Sequence, residues 1–178
     1  MSVVSVVLRR SSLLLFGALF VVGCAGGPGV KRQSYATYSN ERTFEYPFDM
    51  TWKGIESALR GWKVVERDPE EVEPLELKKL PARSLKTEWI YTQSRDRYHE
   101  YRINGSPRKK YLQLRLRYRI EAKAVMGGVT VAVGTDEEVE LLGDDGQPRG
   151  YEGVDETDTS RAKDMLDKIN VSILSAVP

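Results

Sequence analysis

Apolar and polar residues alternate most regularly over residues 111–125. Leu112, Leu114, Leu116, Tyr118, Ile120, Ala122 and Ala124 fall on one side, and Gln113, Arg115, Arg117, Arg119, Glu121 and Lys123 on the other. A period of two held over that length marks a strand with one buried face. Gly127-Gly128 then offers a two-residue turn, and residues 129–142 return with Val129, Val131, Val133, Val139 and Leu141 in register. Pairing residue 126 with residue 129 sets Arg119 against Asp136, Arg117 against Glu138 and Arg115 against Glu140, cross-strand ion pairs that would hold the register on the solvent face. The same pairing puts Glu137 opposite Tyr118 on the inner face, a conflict that predicts a bulge or an opening to solvent.

Upstream, Phe44, Tyr46 and Phe48 alternate and predict a strand over residues 42–48, with Pro47 at its edge or end. Asp49 is placed to N-cap a helix over residues 50–60, in which Trp52, Ile55, Ala58 and Leu59 share a face and Gly61 is the stop. Residues 62–67 predict a short strand. Residues 68–83, with three prolines among blocks of acid and base, predict an exposed loop. Leu85, Thr87, Trp89 and Tyr91 alternate on one side of a strand over residues 85–94. Residues 95–110 are charged and contain an Asn104-Gly105 turn signal. A polar, Gly-rich loop over residues 143–156 precedes a helix capped within residues 157–159, with Ala162, Met165, Leu166, Ile169 and Ile173 as its apolar stripe. The order is β-α-β-β-β-β-α. Each helix has one apolar face and the sheet has one, so the expected fold is α+β, a single two-layer domain over residues 42–178 with an antiparallel sheet and both helices on one face.

The first residues follow a different pattern. Arg9 and Arg10 precede an uncharged apolar run from Leu13 to Gly23, too short to cross a bilayer and suited to a signal peptide over residues 1–23. Val21-Val22-Gly23-Cys24 resembles the bacterial lipobox, in which a thiol at the first mature position receives the lipid and a small residue before it admits the peptidase. Gly23 and Cys24 are the expected cleavage and attachment sites, and Cys24 is the only cysteine in the chain. Acyl chains there would hold the protein on a bilayer. Ala25, where aspartate would signal inner-membrane retention in enteric bacteria, favours the outer membrane, with the domain facing the periplasm. Residues 24–41, Gly-, Ser- and Thr-rich, read as a flexible lipidated tether.

Composition narrows the chemistry. In 178 residues, 40% are hydrophobic and three are tryptophan, enough for a core. Twenty-seven Lys and Arg against 26 Asp and Glu give +1, which argues against a nucleic-acid partner on bulk charge. One cysteine excludes an internal disulfide or a multi-cysteine zinc site. A single histidine, His99, gives little basis for a metal site or a catalytic triad. No nucleophile elbow or phosphate loop is present, so no enzyme activity, metal or cofactor is expected. The candidate contact segment is residues 95–110. Arg95, Arg97, Arg102, Arg108, Lys109 and Lys110 stand there against Asp96 and Glu100, with Tyr98 and Tyr101 interleaved. Such a segment suits lipid head groups, peptidoglycan or a partner's acidic surface; its plain alternative is a solvated hairpin extension.

Several stretches together resemble the BamC-like lipoproteins, accessory subunits of the outer-membrane β-barrel assembly machinery. They are the aromatic strand, Trp52 in a helix ending at Ala58-Leu59, Trp62 to Val65 followed by Asp68, Thr87 to Trp89, the arginine strand, and the last helix over residues 161–174. The resemblance covers residues 42–175. It implies a helix-grip domain and a non-enzymatic accessory or scaffold role in envelope assembly, exercised through other envelope proteins. Members of that family carry two grip domains and a long extended N-terminal segment; this chain has room for one domain and a short tether. A lipopolysaccharide-transport lipoprotein and a small-ligand-binding periplasmic domain are the alternative expectations.

Overall fold

The computed structural model describes residues 30–32, 36–155 and 157–176. Gly23, Cys24 and the leader lie outside the described residues. Along the chain the elements are β1 (Val30–Arg32), β2 (Glu41–Phe44), α1 (Phe48–Ala58), β3 (Val64–Asp68), α2 (Pro74–Leu77), β4 (Ala82–Thr87), β5 (Ile90–Ile103), β6 (Ser106–Val125), β7 (Gly128–Leu142), β8 (Pro148–Gly153) and α3 (Thr159–Leu174). The chain is an α+β protein. Among the described residues the strands form one open antiparallel sheet.

β6 is the spine of that sheet. One of its edges is shared by β4, paired near Ala122, and β5, paired from Leu116 to Ser106. Its other edge carries β7 from Val125 to Leu114. The outer edge of β7 is in turn shared by β2 and β8, while β3 and β1 line the outer edges of β4 and β5. The alternation in β6 reflects its two environments. Leu114, Leu116, Ile120 and Ala122 are buried beneath α1 and α3, Leu112 is buried further along the same face, and none of the described helices lies over the opposite face.

Both helices lie on that inner face. Trp52, Ile55 and Ala58 of α1, with Met165, Leu166, Ile169 and Ile173 of α3, complete the core with Val129, Val131 and Val133. The helices touch at Gly54, where an added β-carbon would stand 2.3 Å from Ile173 Cγ1. α3 is capped within the expected span, with Asp158 Oδ1 accepting from the Ser160 amide at 2.9 Å. α1 is not capped by Asp49. It begins at Phe48 behind Pro47, and Asp49 lies in its first turn, where a carboxylate complements the positive end of the helix. Gly61 takes φ +93° just beyond the helix, as its stop role requires.

Four further findings correct the sequence expectations. First, the β6–β7 turn is Met126-Gly127, and Val125 pairs with Gly128, which moves the register by two residues. Gly127 supplies the positive φ of the turn, +89°. Gly128 is needed for close approach instead, because a β-carbon there would meet the Phe44 carbonyl oxygen at 2.1 Å. Second, Trp89 and Tyr91 do not share a face with Leu85 and Thr87. Lys86 pairs with Arg119 and Ile90 with Leu116, so residues 87–89 stand opposite only Arg117 and Tyr118. The extra residue turns every later side chain over. Thr87 Oγ1 closes the gap by accepting from the Tyr118 amide at 3.0 Å. Third, the loop of residues 143–156 contains β8, and that of residues 68–83 contains the short α2, which buries Leu77. Fourth, part of the span read as a tether is fastened. β1 pairs with β5, the Tyr38 amide donates to Thr159 Oγ1 at 3.0 Å, and the Asn40 carbonyl accepts from Val133 at 2.8 Å.

Candidate functional site

The charged segment of residues 95–110 divides into a bulge and an arm. Gln93 pairs with Gln113 and Tyr98 with Tyr111, so residues 94–97 bulge out opposite Leu112 alone. Ser94 organises the bulge. Its hydroxyl donates to Asp96 Oδ1 at 2.8 Å and accepts from the Arg97 amide at 2.9 Å. The bulge leans on the start of α3, where Arg95 Nη1 donates to Ser160 Oγ at 2.8 Å and to Asp164 Oδ2 at 2.9 Å. Arg95 is therefore a structural tie between β5 and α3, not a free contact residue.

Beyond the bulge, β5 and β6 continue as an arm from Tyr98 and Tyr111 to the Asn104-Gly105 turn, with φ +49° and +80° at the two turn residues. The arm is flanked by β1 at Tyr98 and His99 and is two-stranded among the described residues beyond them. β7 pairs with β6 only as far as Leu114, so the arm extends past the rest of the sheet. Six residues from Tyr98 to Ile103 make it about 20 Å long at about 3.3 Å each. Tyr98 is buried, its ring 5.7 Å from that of Tyr111 and capped by Lys109 Nζ at 4.2 Å. Tyr101, Arg102 and Lys110 are exposed, and Arg97 is half-buried at the base. Tyr101 pairs with Arg108 and His99 with Lys110, so these four share one face with Ile103; Arg102 and Lys109 share the other with Glu100. Of the proposed contact residues, the structure thus gathers Tyr101, Arg102, Lys109 and Lys110 on the arm, places Arg95 in an exposed ion pair with α3 and Arg97 at the arm's base, and buries Tyr98.

A second polar surface occupies the helix-free face of the sheet. Arg115 Nε donates to Glu138 Oε2 at 2.7 Å, Arg117 Nε to Asp136 Oδ2 at 2.8 Å, and Arg119 Nη2 lies 2.9 Å from Asp136 Oδ1. The arginine–carboxylate ladder exists with its register shifted by two residues. Of the three expected pairs Arg119–Asp136 forms, across a diagonal, while Arg117 and Arg115 take Asp136 and Glu138, and Glu140 accepts from the Gln113 amide at 3.1 Å. Trp89, carried here by the bulge, has Arg115 and Arg117 over its ring at 4.9 and 4.5 Å, and Arg115 also covers Tyr151 at 4.7 Å. Tyr91 meets Tyr151 edge-on. Sequence reasoning missed this aromatic cluster, and the only signal for it was the inconsistency of placing Trp89 and Ile90 on a single alternating strand.

The inward Glu137 is the third feature. It pairs with Leu116 rather than Tyr118 and is buried, with its Oε1 3.6 Å from Nε of the equally buried Arg161 on α3. The expected opening to solvent is absent there. Arg161 Nη2 donates to the Gln93 carbonyl at 2.9 Å. Burial pushes the Glu137 carboxyl above the usual carboxylate range; Arg161 opposes that, and Asp158 and Asp96 reinforce it. The Tyr118 phenol beside them is raised as well, again mainly by burial.

Trp52, Leu116 and Ile169 fill the helix–sheet interface, each at most 3% exposed. An open groove beside α1 is lined by Glu56, Glu70, Glu73, Arg67 and Arg83. Arg83 stacks over Trp52 at 4.7 Å and donates to the Pro69 and Glu70 carbonyls. Among the described residues, no three His, Cys, Asp or Glu side chains are grouped as metal ligands, and no helix is long and apolar enough to cross a membrane. No protein-family model matches the chain, and no curated protein matches it in sequence.

Proposed function

We propose that this chain is a bacterial lipoprotein, cleaved after Gly23 and acylated on Cys24, that works at the periplasmic side of the outer membrane. In this reading it is a non-enzymatic accessory or scaffold factor in outer-membrane protein assembly, with a single BamC-like helix-grip domain that acts by contact with other envelope proteins. The observation that carries it is the only thiol of the chain, set immediately behind Val21-Val22-Gly23 at the end of an uncharged apolar run. Two features of the domain support a contact role. The interface between helices and sheet is packed with side chains, and the helix-free face presents Trp89, Tyr91 and Tyr151 among arginines, residue types that favour protein interfaces.

The test is made on the full chain expressed in a Gram-negative host. Mass spectrometry is expected to find a mature N terminus at an acylated Cys24, and C24S to abolish both the modification and membrane retention. Crosslinking in intact cells followed by purification is expected to recover barrel-assembly subunits. An unmodified N terminus, or a crosslinked fraction free of such subunits, would overturn the corresponding half of the proposal.

A further inference from the structure

The β5–β6 arm and the start of the described chain meet in a way that bears on the membrane. β1 is antiparallel to β5, with Val30 beside His99 and Arg32 beside Arg97. The N-terminal end of β1 therefore points along the arm toward its tip, not toward the body of the domain. Cys24 is six peptide steps before Val30. A trans chain covers at most about 3.6 Å per residue, so these steps span no more than about 20 Å. That covers the stretch from His99 to the arm's end, five residues or about 16 Å at about 3.3 Å each. Acyl chains on Cys24 would hold the bilayer surface within reach of the tip and keep the rest of the domain behind it.

The tip has the composition of an interfacial contact. Ile103 and Tyr101 are 51% and 41% exposed on one face, in an arm too thin to bury them. Arg102 and Arg108 flank them, and Lys109 and Lys110 follow toward the base of the arm. None of the four takes part in the ion pairs among the described residues, where cations such as Arg95, Arg115 and Arg117 each have a carboxylate. Against these four stands Glu100 alone. Apolar residues beside a tight turn, with exposed cations along the same arm, complement a layer of anionic phosphates over acyl chains.

We propose that the arm is a second membrane contact. Its tip enters the head-group layer of the leaflet that holds Cys24, with Tyr101 and Ile103 at the interface and Arg102, Arg108, Lys109 and Lys110 on anionic phospholipid phosphates. Lipid attachment alone would leave the domain free to swivel; two contacts fix which face looks away from the membrane. This rests on the lipoprotein reading, and the experiment separates the two. The acylated full chain, purified from membranes, carries a nitrobenzoxadiazole label on I103C or, at the far end of β6, on M126C. It is reconstituted into vesicles of phosphatidylethanolamine and phosphatidylglycerol, or of phosphatidylcholine alone, with doxyl-lipid quenchers.

The label at position 103 is expected to be quenched in the anionic vesicles and the one at position 126 not. Adding R108Q and K110Q should lower the bound-to-free ratio of the tip about 25-fold, at roughly fivefold per cation, while flotation with the vesicles is unchanged. A label at 103 that stays in water while the protein floats would overturn the arm contact, leave the anchor standing, and direct the arm toward a soluble or protein partner. Equal quenching in phosphatidylcholine would overturn the assignment to anionic head groups. Protein with unmodified Cys24 that fails to float would overturn the lipoprotein reading and this one with it.

Discussion

A β-carbon at Gly128 would stand 2.1 Å from the Phe44 carbonyl oxygen, and one at Gly54 would stand 2.3 Å from Ile173 Cγ1. The two crowded sites differ in what can move. Ile173 is a side chain with rotamers to explore, although it is fully buried; the Phe44 carbonyl belongs to β2, held by its pairing with β7. Overpacking costs about 1–3 kcal/mol, and G128A is expected at or above the top of that range, with G54A below it. Urea unfolding of both variants checks the order, and a smaller loss for G128A would contradict it. Glu137 and Arg161 make a different kind of residue-scale statement. Unfolded, Glu137 ionises in the ordinary carboxylate range; folded, burial makes it hold its proton to higher pH. Its contribution to stability is therefore full below the ordinary range and declines as pH rises toward the shifted value. R161M removes the charge that opposes this shift and leaves a buried carboxylate alone. The expected loss is about 3–5 kcal/mol at pH 7 and clearly less at pH 4, measured by unfolding at both; equal losses would show that Arg161 acts through packing alone.

At the scale of elements, one inserted residue decides what Trp89 does. Its ring lies on the sheet's helix-free side under two guanidinium groups, whereas Trp52 is fully buried in the core. W52A should cost about 3–5 kcal/mol, and W89A only about 1–2 kcal/mol from its exposed cation–π contacts; a W89A loss equal to that of W52A would contradict the face assignment. Sequence patterning located β6, α1 and α3 well, because each separates a buried face from a wet one over many residues. It misplaced what depends on single residues. Gly127 and Gly128 offered two turns, and the charges at positions 115, 117 and 119 and at 136, 138 and 140 repeat with the period of the strand, so either register yields ion pairs. Only the inward Glu137 disagreed, and its partner Arg161 is distant in sequence. β8 and β1 were missed since neither has an apolar face: both are edge strands held by backbone pairing with a neighbour. The candidate contact segment was found as a unit, but its division into a structural bulge and a projecting arm depends on the four residues opposite Leu112, which no alternation announces.

The whole molecule is asymmetric about its sheet. One face is closed by α1 and α3 and the other carries charges and aromatic rings with none of the described helices over them; on the proposed function, a protein partner would meet that broad face and a membrane the narrow tip of the arm. The continuous β6 links the two, running from the arm's turn to Met126 without a break. That strand also arranges how the chain can assemble. β5, β6 and β7 are joined by two-residue turns, so their pairings close small loops, and each further pair adds to a ladder already begun. The N-terminal part has no such shortcut. Phe44 must find Val129, 85 residues on, and Gly54 must find Ile173, 119 residues on, each closing a long loop at a higher entropic cost. A central meander that zips locally, with β2 and α1 docking last, is the folding order this topology favours.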